Sequence, residues 1–372
     1  SGEVLQVNEL GHRDIGAGLP MQRDTIFRIA SMTKPVTVAA AMSLIEAGKL
    51  TLTDPVATWL PELADTRVLV DPRGRLDHTM PALRHITIED LMTHRSGLAY
   101  MFSVRGPLSD AYRKLSMRQD QDQWLADLAT LPLVHQPGER LTYSHATDVL
   151  GIALSRIEGK SLSEVLNQRI LAPLGMSDTG FNVGNAGRRR AATMYQIDGD
   201  TLRDDAMGPA PVVDPPFCTG GAGLWSTVDD YLRFARMLLS GGTLDGVRVL
   251  SEQSVKLIRT DRLTDEQKRH DFLGAPFWVG RGFGLNLSVV TDPAKSRQLF
   301  GPGGTGAFSW PGAYGTWWQA DPSAEVILIY LTQNFPNLII DARTAVAGNS
   351  SAAKLQSAQP KFVRRTYEAL GL

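Results

Sequence analysis

The sequence predicts an α/β (α+β) protein in which one sheet domain is interrupted by a mainly helical domain. Three observations lead there. Strand-like runs sit near both ends of the chain, the long middle reads as helices, and 43% hydrophobic residues in 372 can bury a large core. On this reading residues 1–50 and 276–372 make the sheet domain and residues 51–275 the helical one. No internal repeat, low-complexity tract or linker-like run divides the chain otherwise.

In chain order, residues 3–10 and 25–28 read as short strands. Residues 31–47 form a strong helix of small and apolar residues that stops at Gly48, and Thr51 to Pro55 break the pattern. Capping-box patterns then open helices at Thr87 to Asp90, Ser161 to Glu164 and Ser226 to Asp229. The tail changes character. Residues 283–290, 313–320 and 326–332 look like strands, and residues 359–370 like a closing amphipathic helix.

A net charge of −1 argues against a nucleic-acid partner, which needs a concentrated basic surface. The single cysteine, Cys218, excludes an intrachain disulfide framework, and no apolar run approaches the ~20 residues of a membrane span. No signal peptide is visible at Ser1, which favours the cytoplasm, although the abrupt start also suits removal of an upstream segment. The oligomeric state stays open, a homodimer included.

The sharpest local pattern is Ser31-Met32-Thr33-Lys34 at the start of the first helix. Residues i and i+3 share a helix face, so the Lys34 ammonium can reach the Ser31 hydroxyl, and the helix N-terminus favours developing negative charge there. A lysine whose pKa is lowered by burial and neighbouring cations can then act as base. A second Ser-x-x-Lys, Ser351 to Lys354, lies in a polar stretch with no strand entering it and is read as accidental. Tyr143, after the turn Gln136 to Glu139 and before a helix, is placed to aim a phenol into a cleft and pass a proton. Ser309-Trp310-Pro311-Gly312-Ala313 enters an aromatic-rich strand whose backbone N–H groups suit an oxyanion hole.

Five segments occur in order: Ser31 to Pro35; Ile88 to Leu98; Pro137-Gly138-Glu139 with Tyr143-Ser144; Pro173 to Met176 with Asp178-Thr179; and Gly220 to Leu224 with Ser226-Thr227. The series covers nearly the whole chain. It resembles the class C β-lactamase superfamily of penicillin-recognising serine hydrolases, and especially its family VIII carboxylesterase branch. The resemblance implies a β-lactamase-like fold, an antiparallel sheet flanked by helices. It also implies Ser31 as acylated nucleophile, Lys34 as its activator, Tyr143 as proton shuttle, and the backbone N–H groups of Ser31 and Ala313 as oxyanion donors. No cofactor and no metal enter such a mechanism.

Three departures bear on function. Trp310-Pro311-Gly312 stands where β-lactamases usually show Lys-Thr-Gly, and resembles the Trp-x-Gly of family VIII esterases. His145 stands where Tyr-x-Asn has its Asn. The family's first helix and strand are missing, since residues 3–10 look like its second strand. The expected activity is therefore a carboxylesterase acting on small neutral esters. The alternatives are a β-lactamase, a D-amino-acid peptidase or an acyltransferase of the same fold, or a sensor that is acylated without turnover. The walls of the pocket are expected in residues 63–85 and 100–135. His145, Trp310, Gly312, Phe102 and Trp124 are the candidate substrate contacts, although each aromatic ring also suits a core.

Other motifs fail on context. Gly301 to Gly306 imitates a dinucleotide loop but precedes a strand, and Asp178-Thr179-Gly180 has no partner copy for aspartic-protease chemistry. The histidines lack metal-ligand spacing, and the absence of Gly-x-Ser-x-Gly argues against an α/β-hydrolase.

Overall fold

The helix that carries Lys34 is apolar on nearly every side. Thr33–Glu46 reads Thr-Lys-Pro-Val-Thr-Val-Ala-Ala-Ala-Met-Ser-Leu-Ile-Glu, and most of it is buried, which makes it a core helix rather than an amphipathic surface one. Its small alanines let neighbours approach closely. It enters through a 3₁₀ turn, Ala30–Met32, and exits at Gly48, whose φ of 68° is the left-handed conformation glycine adopts without a Cβ clash. In the computed structural model of the chain, residues 2–198, 201–204, 207–335 and 351–372 are described.

The main sheet has five antiparallel strands in chain order: Arg281–Phe283, Ser288–Val290, Phe308–Ser309, Trp317–Asp321 and Val326–Tyr330. Alternation along the fourth strand gives each face its own partner. Trp318 points to the helix Val228–Leu239, its ring 5.4 Å from Tyr231 and 6.3 Å from Phe234. On the other face Leu328 packs with Val363 and Tyr367 of the helix Ser351–Ala369. The Tyr367 hydroxyl donates to buried Asp321 at 2.7 Å and fixes that helix against the sheet. This is a β-lactamase-like arrangement, an antiparallel sheet flanked by helices with a mainly helical part beside it.

A glycine loop joins the two halves. Gly220 to Gly223 runs between the Thr33–Glu46 helix and the helix Ala146–Glu158. A Cβ on Gly220 would lie 2.6 Å from the Thr147 carbonyl oxygen and 3.3 Å from Gly151 Cα, so only glycine permits this approach. The Thr37 hydroxyl donates to the Gly220 carbonyl at 2.7 Å and ties the loop to the central helix.

Several expectations need correction. Residues 3–10 are not a strand: they lie exposed without a ladder partner, and pairing begins with His12–Asp14 against Leu19–Pro20. The run 283–290 is a hairpin turning at Asn286, whose φ of 56° reverses the chain between Arg281–Phe283 and Ser288–Val290. The strand expected over 313–320 begins only at Trp317, because the chain turns through residues 313–315. The capping boxes at Thr87 and Ser161 form, whereas the third helix is capped by Thr227. Ser226 is occupied in a strand, Trp225–Ser226, paired with Phe27–Arg28. That two-stranded pair is separate from the five-stranded sheet, whereas the helix Val228–Leu239, which lies within the 51–275 span expected to be helical, packs on the five-stranded sheet through Tyr231 and Phe234. The middle also contains hairpins, such as Thr243–Leu244 with Val247–Arg248 around Asp245-Gly246. The helix of residues 359–370 starts earlier, at Ser351; the side chains of Ser351 and Lys354 lie outside the described residues.

Gly220→Ala is expected to destabilise the protein by about 1–3 kcal/mol, since the clash is with backbone and cannot be relieved by a rotamer change. Thermal unfolding followed by circular dichroism measures it; an unchanged midpoint would show that the loop is not wedged.

Candidate active site

Ser31 is presented by a strained turn. Ala30, just before it, has φ of 47°, a left-handed conformation that costs a non-glycine residue roughly 1–3 kcal/mol and persists only where the surroundings impose it. The surroundings are identifiable. The Ile29 N–H donates to the Leu224 carbonyl at 3.1 Å, the Ile29 carbonyl accepts from the Thr316 hydroxyl at 3.1 Å, and the Tyr231 hydroxyl donates to the Met32 carbonyl at 2.9 Å. Ser31 is half-buried while its neighbours on both sides are buried.

Helix spacing brings Lys34 Nζ to 3.2 Å from Ser31 Oγ. The ammonium, fully buried, also donates to the Gly221 carbonyl at 2.7 Å and to the Tyr100 hydroxyl at 3.2 Å. These acceptors match the three donors of a protonated lysine. Nζ also lies 4.8 Å from the Tyr143 ring centroid and 5.4 Å from that of Tyr100, so two π faces help to offset its lost hydration.

Tyr143 closes the constellation. Its hydroxyl is 2.7 Å from Ser31 Oγ and accepts from Trp310 Nε1 at 3.3 Å. Ser31, Lys34, Tyr143 and Trp310 thus meet, although they come from a helix start, a loop and the end of a strand. Behind Tyr143, buried His94 lies edge-on at 4.8 Å, with Nδ1 3.1 Å from Ser144 Oγ. Burial, reinforced by the nearby Lys34 charge, pushes the His94 imidazole well below its ordinary value and keeps it neutral.

The other expected contacts fall in different places. Gly312 is buried where a Cβ would lie 2.3 Å from the Ile29 carbonyl oxygen, and its N–H donates to the Thr316 carbonyl at 2.7 Å. Ala313 follows it in an exposed turn, not on a strand, with its N–H unengaged by backbone carbonyls among the described residues. Phe102 is 43% exposed and stacks 5.0 Å from Tyr100. Trp124 is fully buried behind His145, so it belongs to the core rather than to the cleft surface. His145 is held differently from the expectation: Nδ1 is 2.8 Å from Asp148, and the ring packs on Tyr100 at 4.2 Å without bonding Ser31 or Lys34.

Sequence reading missed Tyr100 as a Lys34 partner, Asp148, and Phe272, whose ring is 5.5 Å from Tyr143 and 5.8 Å from Trp310. None follows from local spacing. Burial pushes the Cys218 thiol up to about 12, which leaves it protonated and inert at neutral pH. Among the described residues no group of three or more His, Cys, Asp or Glu could hold a metal, and no helix is long and apolar enough to cross a membrane.

Because Lys34 and Tyr143 both bond Ser31 Oγ, Lys34→Ala and Tyr143→Phe are each expected to lower kcat by on the order of 10³-fold, and the double substitution by little more. Steady-state kinetics of the three variants measures this; independent multiplication of the two losses would separate their roles.

A family profile described as Beta-lactamase matches residues 1–348. Protein Rv1367c of Mycobacterium tuberculosis is 70% identical over 371 residues, spanning 100% of this chain and 92% of its own length. Esterase EstB of Burkholderia gladioli is 32% identical over 359 residues, 89% of this chain and 83% of the esterase. Among solved structures, EstCE1, a hydrolase with promiscuous acyltransferase activity, superposes with a TM-score of 0.72 at 28% identity, over 87% of this chain and 84% of its own. With the Ser31–Lys34–Tyr143 geometry beside them, these matches identify the chain as a member of the beta-lactamase family and a serine hydrolase of that fold.

Proposed function

We propose that the chain is a carboxylesterase that hydrolyses small neutral esters through an acyl-enzyme on Ser31. Ser31 Oγ attacks the ester carbonyl carbon while its proton passes to the Lys34–Tyr143 unit, and the N–H groups of Ser31 and Ala313 receive the oxyanion. The C–O bond to the alcohol breaks, and the alcohol leaves with the proton returned through Tyr143. Water then attacks the acyl carbon and gives its proton to the same unit, the bond between the acyl carbon and Ser31 Oγ breaks as Oγ takes that proton back, and the acid is released. Each half-reaction uses the neutral amine of Lys34 as the proton acceptor and the Tyr143 phenol as the relay, so no further base is required.

The observation that carries the substrate class is Trp310. Its indole is 2% exposed, and its one donor is committed to the Tyr143 hydroxyl. Phe272, Phe277 and Phe283 surround it at 5.8, 6.2 and 5.1 Å. A β-lactam or D-Ala-D-Ala peptide brings a carboxylate, which this strand meets with an aromatic cluster instead of a cation. A neutral ester loses nothing there, and its alcohol is a better leaving group than an amine.

A second reading, transfer of the acyl group to an alcohol instead of water, is supported by the likeness to EstCE1. It uses the same acyl-enzyme and differs only in the acceptor. Adding a primary alcohol to the assay separates the two by the yield of new ester against free acid.

For p-nitrophenyl butyrate, kcat/KM is expected to exceed that for nitrocefin by at least about 100-fold, the scale of discrimination set by unpaired polar groups in a binding site. A nitrocefin value equal to or above the ester's would overturn the esterase reading. An organophosphonate is expected to label Ser31, and Ser31→Ala to abolish turnover; peptide mapping that finds the adduct elsewhere would sink the mechanism.

A further inference from the structure

The Lys34 ammonium is fully buried, yet each of its three hydrogen bonds goes to an uncharged oxygen. A buried cation without a paired anion is costly, so its charge must be balanced from further away. The nearest route leads through Tyr100. Asp148, 1% exposed, acts on the Tyr100 phenol, and burial together with the charge of Asp148 raises that phenol well above its ordinary value. The phenol therefore stays protonated. Its oxygen accepts from Lys34 at 3.2 Å while its own proton can serve the carboxylate.

Asp148 is itself held rigidly. One oxygen accepts from the Gly221 N–H at 2.8 Å, and the other lies 2.8 Å from His145 Nδ1. Gly221 is the residue whose carbonyl accepts from Lys34, so the same carboxylate also orients a second lysine ligand. The fit leaves no slack: a Cβ on Gly221 would come 2.8 Å from Asp148 Oδ1 and 3.1 Å from the Tyr100 hydroxyl. The other titratable groups facing this cluster are Tyr143, Tyr314, His94 and His145. Tyr143 and Tyr314 are phenols, and His94 is kept neutral by burial and Lys34.

We propose that Tyr100 and Asp148 form a positioning arm for Lys34, in which the buried carboxylate polarises the phenol and orients Gly221, and so stabilises the ammonium and aims it at Ser31. The inference rests on Lys34 being the base for Ser31. The sign follows from charge: weakening the arm withdraws a buried negative charge from the site, so the acidic limb of kcat/KM moves down.

The test is the pH profile of p-nitrophenyl butyrate hydrolysis by the full chain and by its Asp148→Asn, Tyr100→Phe and Lys34→Ala variants, with folding checked by near-ultraviolet circular dichroism. Asparagine keeps an oxygen for the Gly221 N–H and offers its amide to His145, so it removes the charge while preserving the shape. Asp148→Asn is expected to move the acidic limb down by about one pH unit. Tyr100→Phe is expected to move it the same way and to lower kcat by roughly 10- to 100-fold with KM unchanged, the cost of a hydrogen bond to a charged group. A merely structural role would lower the amplitude and leave the limb in place. If Asp148→Asn does not fold, Tyr100→Phe decides. Inactive Lys34→Ala beside unmoved limbs in the folded variants would overturn the arm alone, whereas full turnover by Lys34→Ala would remove the base and the arm with it.

Discussion

Placing an ammonium in a dry interior costs several kcal/mol unless its donors are matched and its charge is balanced. Lys34 imposes that demand on this fold, and much of the architecture around it can be understood as the response. The glycine loop delivers the Gly221 carbonyl, which requires Gly220 to pass against the Ala146–Glu158 helix where a side chain would collide. The helix N-terminal turn delivers Ser31, which requires a left-handed Ala30. The Tyr100 hydroxyl completes the shell, and the rings of Tyr100 and Tyr143 lie over the ammonium. Local strain at Ala30 and close approach at Gly220 are thus the means by which Lys34 is placed beside Ser31.

The surroundings of Trp310 have the reverse character. Trp310, Phe272, Phe277, Trp278 and Phe283 form a continuous aromatic cluster at centroid distances of 5.0 to 6.2 Å, edge to face except for the tilted pair Phe272–Phe277. Edge-to-face packing of this kind is rigid and adds stabilisation beyond the area buried. It also fixes Tyr143 from behind, because Trp310 donates to the same hydroxyl that contacts Ser31. One site therefore combines a polar, charge-bearing side around Lys34 with an apolar, uncharged side around Trp310.

Some misread elements carried a usable local signal. Asp245-Gly246 between Thr243–Leu244 and Val247–Arg248 is a two-residue hairpin turn with both φ positive, at 48° and 81°, and Asp-Gly is a strong short-range sign of such a turn. Asn286, with φ of 56°, likewise marks the turn between Arg281–Phe283 and Ser288–Val290. Others carried none. Residues 3–10 have the composition of a strand, but a strand exists only where another edge pairs with it. Ser226 has the pattern of a cap, yet pairing with Phe27–Arg28 takes it into a strand and leaves Thr227 to cap the helix.

By itself the sequence determined what depends on spacing along one element. The helix period sets Ser31 and Lys34 on one face, the alternation of Trp317 and Trp318 gives the sheet two covered faces, and the order of short motifs names the family. Tertiary structure decided which groups from elsewhere in the chain complete the site. Tyr100 is 66 residues from Lys34 and Gly221 is 187, and Tyr143 is 112 from Ser31. It also turned His145 away from the lysine toward Asp148 and buried Trp124 behind it. The physical reason is one of range: a helix turn dictates its own i, i+3 geometry, whereas the neutralisation of a buried charge is settled only when distant loops pack to within hydrogen-bond distance of it.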